Sequence, residues 1–247
     1  MNKRLNILIA NDDGIHADGL ARLAAASLEF ADVWVCAPAG QCSGMSSKLT
    51  IDETQDMLVR CHRDYPVAVS GAWSVEGTPA DCVKVALKKL LPVKPDFVFS
   101  GINDGMNAGV DVVYSGTIGA ATEGVLSGIP AAAFSARDGK NYEVCEHYLR
   151  QIIQEILFAE QKDGTIWNVN FPTCPLTACK GVLRARTLEP QSYYENDYLI
   201  SRQEGDILYV RPHATVLKAE QTQQGSDLNA VLNHYVSISR FTVSAFA

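Results

Sequence analysis

The chain has 247 residues and 47% hydrophobic content, enough to fill one large core. Its formal net charge of -7, from 28 acidic and 21 basic residues with no basic block, argues against a protein that grips nucleic-acid polymers by their backbone, and no apolar run is long enough to span a membrane. The seven cysteines (Cys36, Cys42, Cys61, Cys82, Cys145, Cys174, Cys179) are scattered and lack C-x-x-C spacing, which points to reduced thiols in a cytoplasmic protein.

The opening "MNKRLNILIA" has a short apolar run that leads straight into charged residues, so it reads as a first strand and not as a signal peptide. That strand ends in Asp12 and Asp13, followed at once by Gly14. Adjacent carboxylates repel each other, and the obvious partner is a cation; the plain alternative is an Asx turn in which one aspartate caps backbone N–H groups and Gly14 supplies a positive φ. A helix is predicted over 18–28, then a strand "DVWVCA" and a small polar loop containing Ser43, Gly44, Ser46 and Ser47. A β-rich insertion with strands "MLVRCH" and "VAVSG" follows. Thr78-Pro79-Ala80-Asp81 then supplies a cap, a proline at the first helical position and an acidic third residue, starting a helix over 80–91.

The next strand, "DFVFSG", runs into "SGINDGMNAGVDVVYSGTIGAATEG". Glycine loses the most backbone entropy on ordering, so such a composition is expensive for a mere connection and suggests close approach of backbone to a ligand. Ser115-Gly116-Thr117 lies where a helix over 117–127 begins; unpaired N–H groups and two hydroxyls there could hold a phosphate, or Ser115 or Thr117 could simply cap the helix. Gly116, Ala120 and Gly124 recur at helical spacing and suit tight helix packing. The strand "IPAAAFSA", a helix over 142–158 and the strand "IWNVNF" complete an alternating pattern. The fold class is therefore α/β: Rossmann-like, a mostly parallel sheet with helices on both faces, with ligands expected at the carboxyl ends of its strands. After Phe171 the pattern changes to separated strands, "GVLRAR", "ILYVRP" and "YVSIS", around a polar connection "EPQSYYENDYLISRQEGD". This divides the chain into a core, 1–171, and a β-rich carboxyl-terminal extension, 172–247. The five histidines show no pair at metal-ligand spacing, and the chain lacks G-x-G-x-x-G, P-loop and G-x-S-x-G motifs.

"ILIANDDGIHADGL", "GTPADCV" and "SGINDGMNAGVDVVYSGTIGAATEG" resemble the SurE family of nucleotidases, and the agreement is sustained by "NVNFP" and "GSDLNAVLNHYVSIS". The resemblance implies a phosphatase acting on nucleoside 5'- and 3'-monophosphates and, in some members, on polyphosphate. It implies one divalent metal ion per subunit held by Asp12, Asp13, Ser43 and Asn103, and a phosphate-proximal segment at Asn107, Ser115, Gly116 and Thr117. Asp12, Asp13 and Asn103 are the candidate catalytic residues. It also implies a carboxyl-terminal hairpin exchanged between subunits of a dimer or tetramer, with the final strand returning to the core. An all-oxygen ligand set suits Mg2+ or Mn2+. A haloacid-dehalogenase-type phosphatase would want D-x-D where this chain has adjacent aspartates; a nucleotide-binding regulatory module without hydrolysis, or a structural oligomer, stands as the non-enzymatic alternative.

Overall fold

The computed structural model describes residues 4–136 and 141–243. In chain order its strands are β1 (Leu5–Ala10), β2 (Ala31–Pro38), β3 (Val59–Cys61), β4 (Gly71–Val75), β5 (Phe97–Asp104), β6 (Ala131–Ala136), β7 (Thr165–Phe171), β8 (Val182–Arg186), β9 (Tyr194–Glu204), β10 (Ile207–Val216) and β11 (Val236–Thr242). The helices are α1 (Asp18–Ser27), α2 (Pro79–Val85), α3 (Gly116–Leu126), α4 (Glu143–Phe158) and α5 (Asp227–Leu232). A nine-stranded sheet has the order β3-β4-β2-β1-β5-β6-β7-β11-β8. From β4 to β7 the pairs are parallel; β3 and β11 run antiparallel to β4 and β7.

The apolar run of β1 is continuous because both of its faces are covered. Ile7 and Ile9 belong to the core beneath α1 and α4, while Leu8 and Ala10 belong to the core beneath α2 and α3. From β1 the chain crosses through α1 to β2 on one side; from β4 it returns through α2 to β5 on the other. The crevice between the carboxyl ends of β1 and β5 is thus the point where strand order reverses, the place such sheets use for ligands.

The Thr78 helix start has the reciprocal form its sequence suggests: Asp81 N–H donates to Thr78 Oγ1 at 3.1 Å, and Thr78 N–H donates to Asp81 Oδ2 at 2.9 Å. Other expectations need correction. "VAVSG" is not a strand; Val69 N–H bonds back to the Val67 carbonyl, a tight local turn that takes these residues out of the ladder, and the strand begins at Gly71. The stretch read as a polar connection contains β9, which pairs with β10 in a hairpin outside the main sheet. It escapes an alternation test because no core face selects its side chains; β10 is exposed along its whole length. Past Phe171, β8 and β11 continue the main sheet, and α5 is capped by Ser226, which accepts from Asn229 N–H at 3.1 Å. Among the described residues no helix is long and apolar enough to cross a membrane.

Candidate active site

The turn after β1 is closed by Asn11, a residue the sequence reading passed over. Its buried amide accepts from Gly14 N–H at 3.2 Å and donates to the Gly14 carbonyl at 3.0 Å, with Gly14 at φ +100°. Because Asn11 makes the Asx turn, neither aspartate is needed for it. Asp12 points inward, 3% exposed, and accepts from the Thr117 hydroxyl at 2.6 Å through Oδ1. Asp13 is half-buried and accepts from Asp104 N–H at 3.0 Å through Oδ2.

These contacts draw distant segments onto the aspartate pair. The Asp13–Asp104 bond brings up the end of β5, where a bulge between Ser100 and Asn103 breaks the register with β6 and re-aims the strand end. Asn103 there donates its Nδ2 to the Gly105 carbonyl at 3.0 Å, which fixes the orientation of its amide. Cys42 N–H donates to the Asp12 carbonyl at 2.7 Å, which ties the loop carrying the exposed Ser43 to this turn; Gln41 Nε2 donates to Ser43 Oγ at 3.1 Å. The start of α3 closes the group. A Cβ on Gly116 would lie 2.8 Å from Asp12 Cβ and 3.1 Å from the Cys42 carbonyl oxygen, so only glycine admits this approach.

The residues that the sequence reading expects near a phosphate divide into two groups. Ser115 is the N-cap of α3, accepting from Ile118 N–H at 3.2 Å, and Thr117 is fully buried with its hydroxyl committed to Asp12. Both sit with Gly116 at a helix start directed at the carboxylates. Asn107 does not join them: it donates its N–H to Asn170 Oδ1 at 2.9 Å and Nδ2 to Ser135 Oγ at 2.9 Å, and its carbonyl accepts from Asn168 and Asn170. It is a buried strut anchoring the glycine-rich loop to β6 and β7.

Burial governs the electrostatics. It pushes Asp12 from 3.8 up to about 6; the Thr117 hydroxyl opposes this, and the neighbouring Asp13 charge adds to it. Asp13 is also raised, first by burial, then with Asp104 N–H opposing and the Asp104 charge reinforcing. Among the described residues no Lys or Arg forms an ion pair with either aspartate. Two partly desolvated carboxylates without a cationic side chain, beside an amide and a hydroxyl, fit a hard divalent cation. Among the described residues no three His, Cys, Asp or Glu side chains converge on one point.

Two further acids stand behind this group. Asp111 accepts from Ser192 Oγ at 2.7 Å and Tyr193 N–H at 2.7 Å, while buried Asp227 accepts from Gly109, Glu189 and Leu228 N–H groups. Together they tie the short 3-10 segment Gly109–Tyr114, which leads into α3, to the root of the β9–β10 hairpin. Their sequence signal is faint, an aspartate inside a glycine-rich run and another at the first position of a short helix.

The family model described as "Survival protein SurE" matches residues 7–194. The chain is 39% identical over 198 residues to the 5'-nucleotidase SurE of Protochlamydia amoebophila (strain UWE25), covering 79% of this chain and 74% of that protein. It is also similar to the crystal structure of the SurE protein from Aquifex aeolicus, with a TM-score of 0.80 and 32% identity over 96% of this chain and 93% of that one.

Proposed function

The chain belongs to the SurE family, and on that premise we propose that it is a divalent-metal-dependent 5'-nucleotidase that releases phosphate from nucleoside 5'-monophosphates, with 3'-monophosphates and short polyphosphate as further substrates. The observation that carries this reading is the meeting of two cation-starved carboxylates with a helix N-terminus in the crevice where strand order reverses. Asp12, Asp13, Ser43 and Asn103 would hold one ion, Mg2+ or Mn2+. When bound, the ion supplies Lewis-acid polarisation of the phosphoryl oxygens.

The rest falls to the chain's own groups. The α3 start directs its N–H groups at the equatorial oxygens of the phosphoryl group. Thr117 fixes Asp12 through Oδ1, which leaves Oδ2 to orient an attacking water and take its proton. The water oxygen bonds to phosphorus, the P–O bond to the nucleoside breaks, the departing nucleoside oxygen takes a proton from solvent while Asp12 returns its proton to solvent, and phosphate and nucleoside leave. Self-association is proposed through the β9–β10 hairpin, where Ile200 is 64% and Ile207 58% exposed; a dimer or tetramer of this chain would cover them. Cysteines that are all unpaired suit the cytoplasm.

The test is phosphate release from nucleoside 5'- and 3'-monophosphates, polyphosphate and p-nitrophenyl phosphate, first with EDTA and then with Mg2+ or Mn2+ restored. Release that stops with EDTA and returns with metal supports the reading, as does loss of all activity in a folded Asp13→Asn variant. Folded protein that releases nothing under any condition, yet is stabilised by nucleotide, would make it a binding module.

A further inference from the structure

A cavity of about 450 Å³ is walled by the Ile15–His16 turn, which follows the aspartate pair in the chain, on one side and by the β3–β4 ladder on the other. It has the size of a small-ligand site, and none of the groups that handle phosphate line it. Ile15 N–H bonds to the Pro38 carbonyl at 2.9 Å, so the cavity lies at the carboxyl end of β2 as well as β1. His16 is three residues past Asp13, a separation that spans at most about 11 Å, so the wall begins within reach of a phosphate held at the carboxylates.

The opposite wall follows from strand periodicity. Leu58, Arg60 and His62 alternate along one strand face, and the ladder is extended at both ends of β3 by Glu76 N–H to the Leu58 carbonyl and His62 N–H to the Ala72 carbonyl. Arg60 is in register with Ser74, and Glu76 lies two residues on, just past β4, so Ser74 and Glu76 share that face. His62 is held by a 2.8 Å hydrogen bond between Nε2 and the buried Ser74 Oγ, and by the edge of His16 with ring centroids 5.5 Å apart. Burial, helped by the His16 and Arg60 charges, lowers the His62 pKa, which favours a neutral ring at pH 7. Arg60 and Glu76 form no ion pair among the described residues, although both face this cavity.

The cavity therefore combines an apolar surface at Ile15 and Leu58, imidazole edges, one uncommitted fork of N–H donors and one uncommitted carboxylate. A phosphate alone needs none of these, and a planar base bearing a ribose uses them all. We propose that this cavity is the nucleoside subsite, in which Arg60 donates to acceptors of the base, His62 and Leu58 line its plane, and Glu76 accepts from ribose hydroxyls or an exocyclic amine. The proposal rests on the phosphomonoesterase reading of the adjacent site.

Two measurements separate the proposal from that reading. Arg60→Ala, His62→Ala and Glu76→Gln alter exposed or half-buried side chains at a sheet edge. In Arg60→Ala the ratio of kcat/KM for nucleoside monophosphates to that for p-nitrophenyl phosphate is expected to fall about tenfold or more, through KM, as befits loss of a charged hydrogen-bond donor. In parallel, adenosine, guanosine, cytidine and uridine are titrated calorimetrically into protein held in EDTA, where wild type should bind at least one and the variants should bind it about tenfold more weakly. An unchanged substrate ratio together with unchanged nucleoside binding overturns the subsite while leaving the phosphatase intact. Nucleoside binding that the variants lose, in a wild type that releases no phosphate from any substrate, overturns the phosphatase reading and keeps the subsite.

Discussion

Replacing Asp12 by Asn is predicted to abolish phosphate release and, at the same time, to stabilise the metal-free protein at neutral pH. Asp12 is 3% exposed, and its pKa rises from 3.8 to about 6 on folding. Between those values the folded protein keeps a proton that the unfolded chain has released. The unfolding free energy therefore falls as pH rises from about 4 to about 6, and above that the full cost of the buried charge persists. A shift of about two units corresponds to about 3 kcal/mol. Asn keeps the shape of the side chain beside Gly116 and an oxygen to accept from Thr117, so the substitution removes the charge with little else. Urea unfolding in EDTA should find the variant more stable than wild type by about 3 kcal/mol at pH 7.5 and nearly equal to it at pH 4. Adding Mn2+ at about 100 times its dissociation constant should return about 2.7 kcal/mol to wild type and much less to the variant. A variant no more stable than wild type at pH 7.5 in EDTA would refute the claim that Asp12 is an uncompensated buried charge.

Gly116→Ala places a methyl 2.8 Å from Asp12 Cβ and against the Cys42 carbonyl, so it should cost activity more than tenfold and reduce the metal-induced rise in melting temperature, read by differential scanning fluorimetry. Thr117→Val removes a hydrogen bond to a charged group, worth about 1.5–3 kcal/mol. Since that bond lowers the Asp12 pKa, the acid limb of the pH profile of kcat/KM should move to higher pH; an unmoved limb would remove Asp12 as the group titrating there. Ile200 and Val210 lie opposite each other in the hairpin, 64% and 55% exposed, and changing both to Asp should shift sedimentation equilibrium toward monomer if the hairpin is the self-association surface.

Elements that answer to a local rule were legible in the sequence. β1 could be read because burial on both faces demands an unbroken apolar run, and α2 because Thr78 and Asp81 satisfy each other three residues apart. The hairpin strand β9 could not, since solvent on its surroundings imposes no alternation, and "VAVSG" misled because its valines pack half-buried against the core from a turn. The same division runs through the site. Adjacent aspartates after a buried strand announce a charge that needs a partner, whereas the donor that holds Asp12, Thr117, lies 105 residues away and the anchor of Asn107, Asn170, lies 63 away.

A side chain's type states what it can give or accept, and only the fold decides where. Asn107, Ser115 and Thr117 all carry hydrogen-bonding groups suited to a phosphate, and the structure gives each a structural partner: Asn107 the β6–β7 asparagine network, Thr117 the Asp12 carboxylate, and Ser115 the α3 cap, where its hydroxyl only accepts. A phosphate held at this helix start, as proposed, would meet backbone N–H groups and the field of aligned peptide dipoles, with the Ser115 O–H as the one side-chain donor that capping leaves available. Backbone donors are set by the course of the chain and carry no residue-specific signature. Their trace in the sequence is Gly116, the one position in the Ser115–Thr117 start where any Cβ would push the helix end off the carboxylates. The glycine thus serves to bring the helix start onto Asp12, which couples the helix packing read from its spacing to the chemistry of the site.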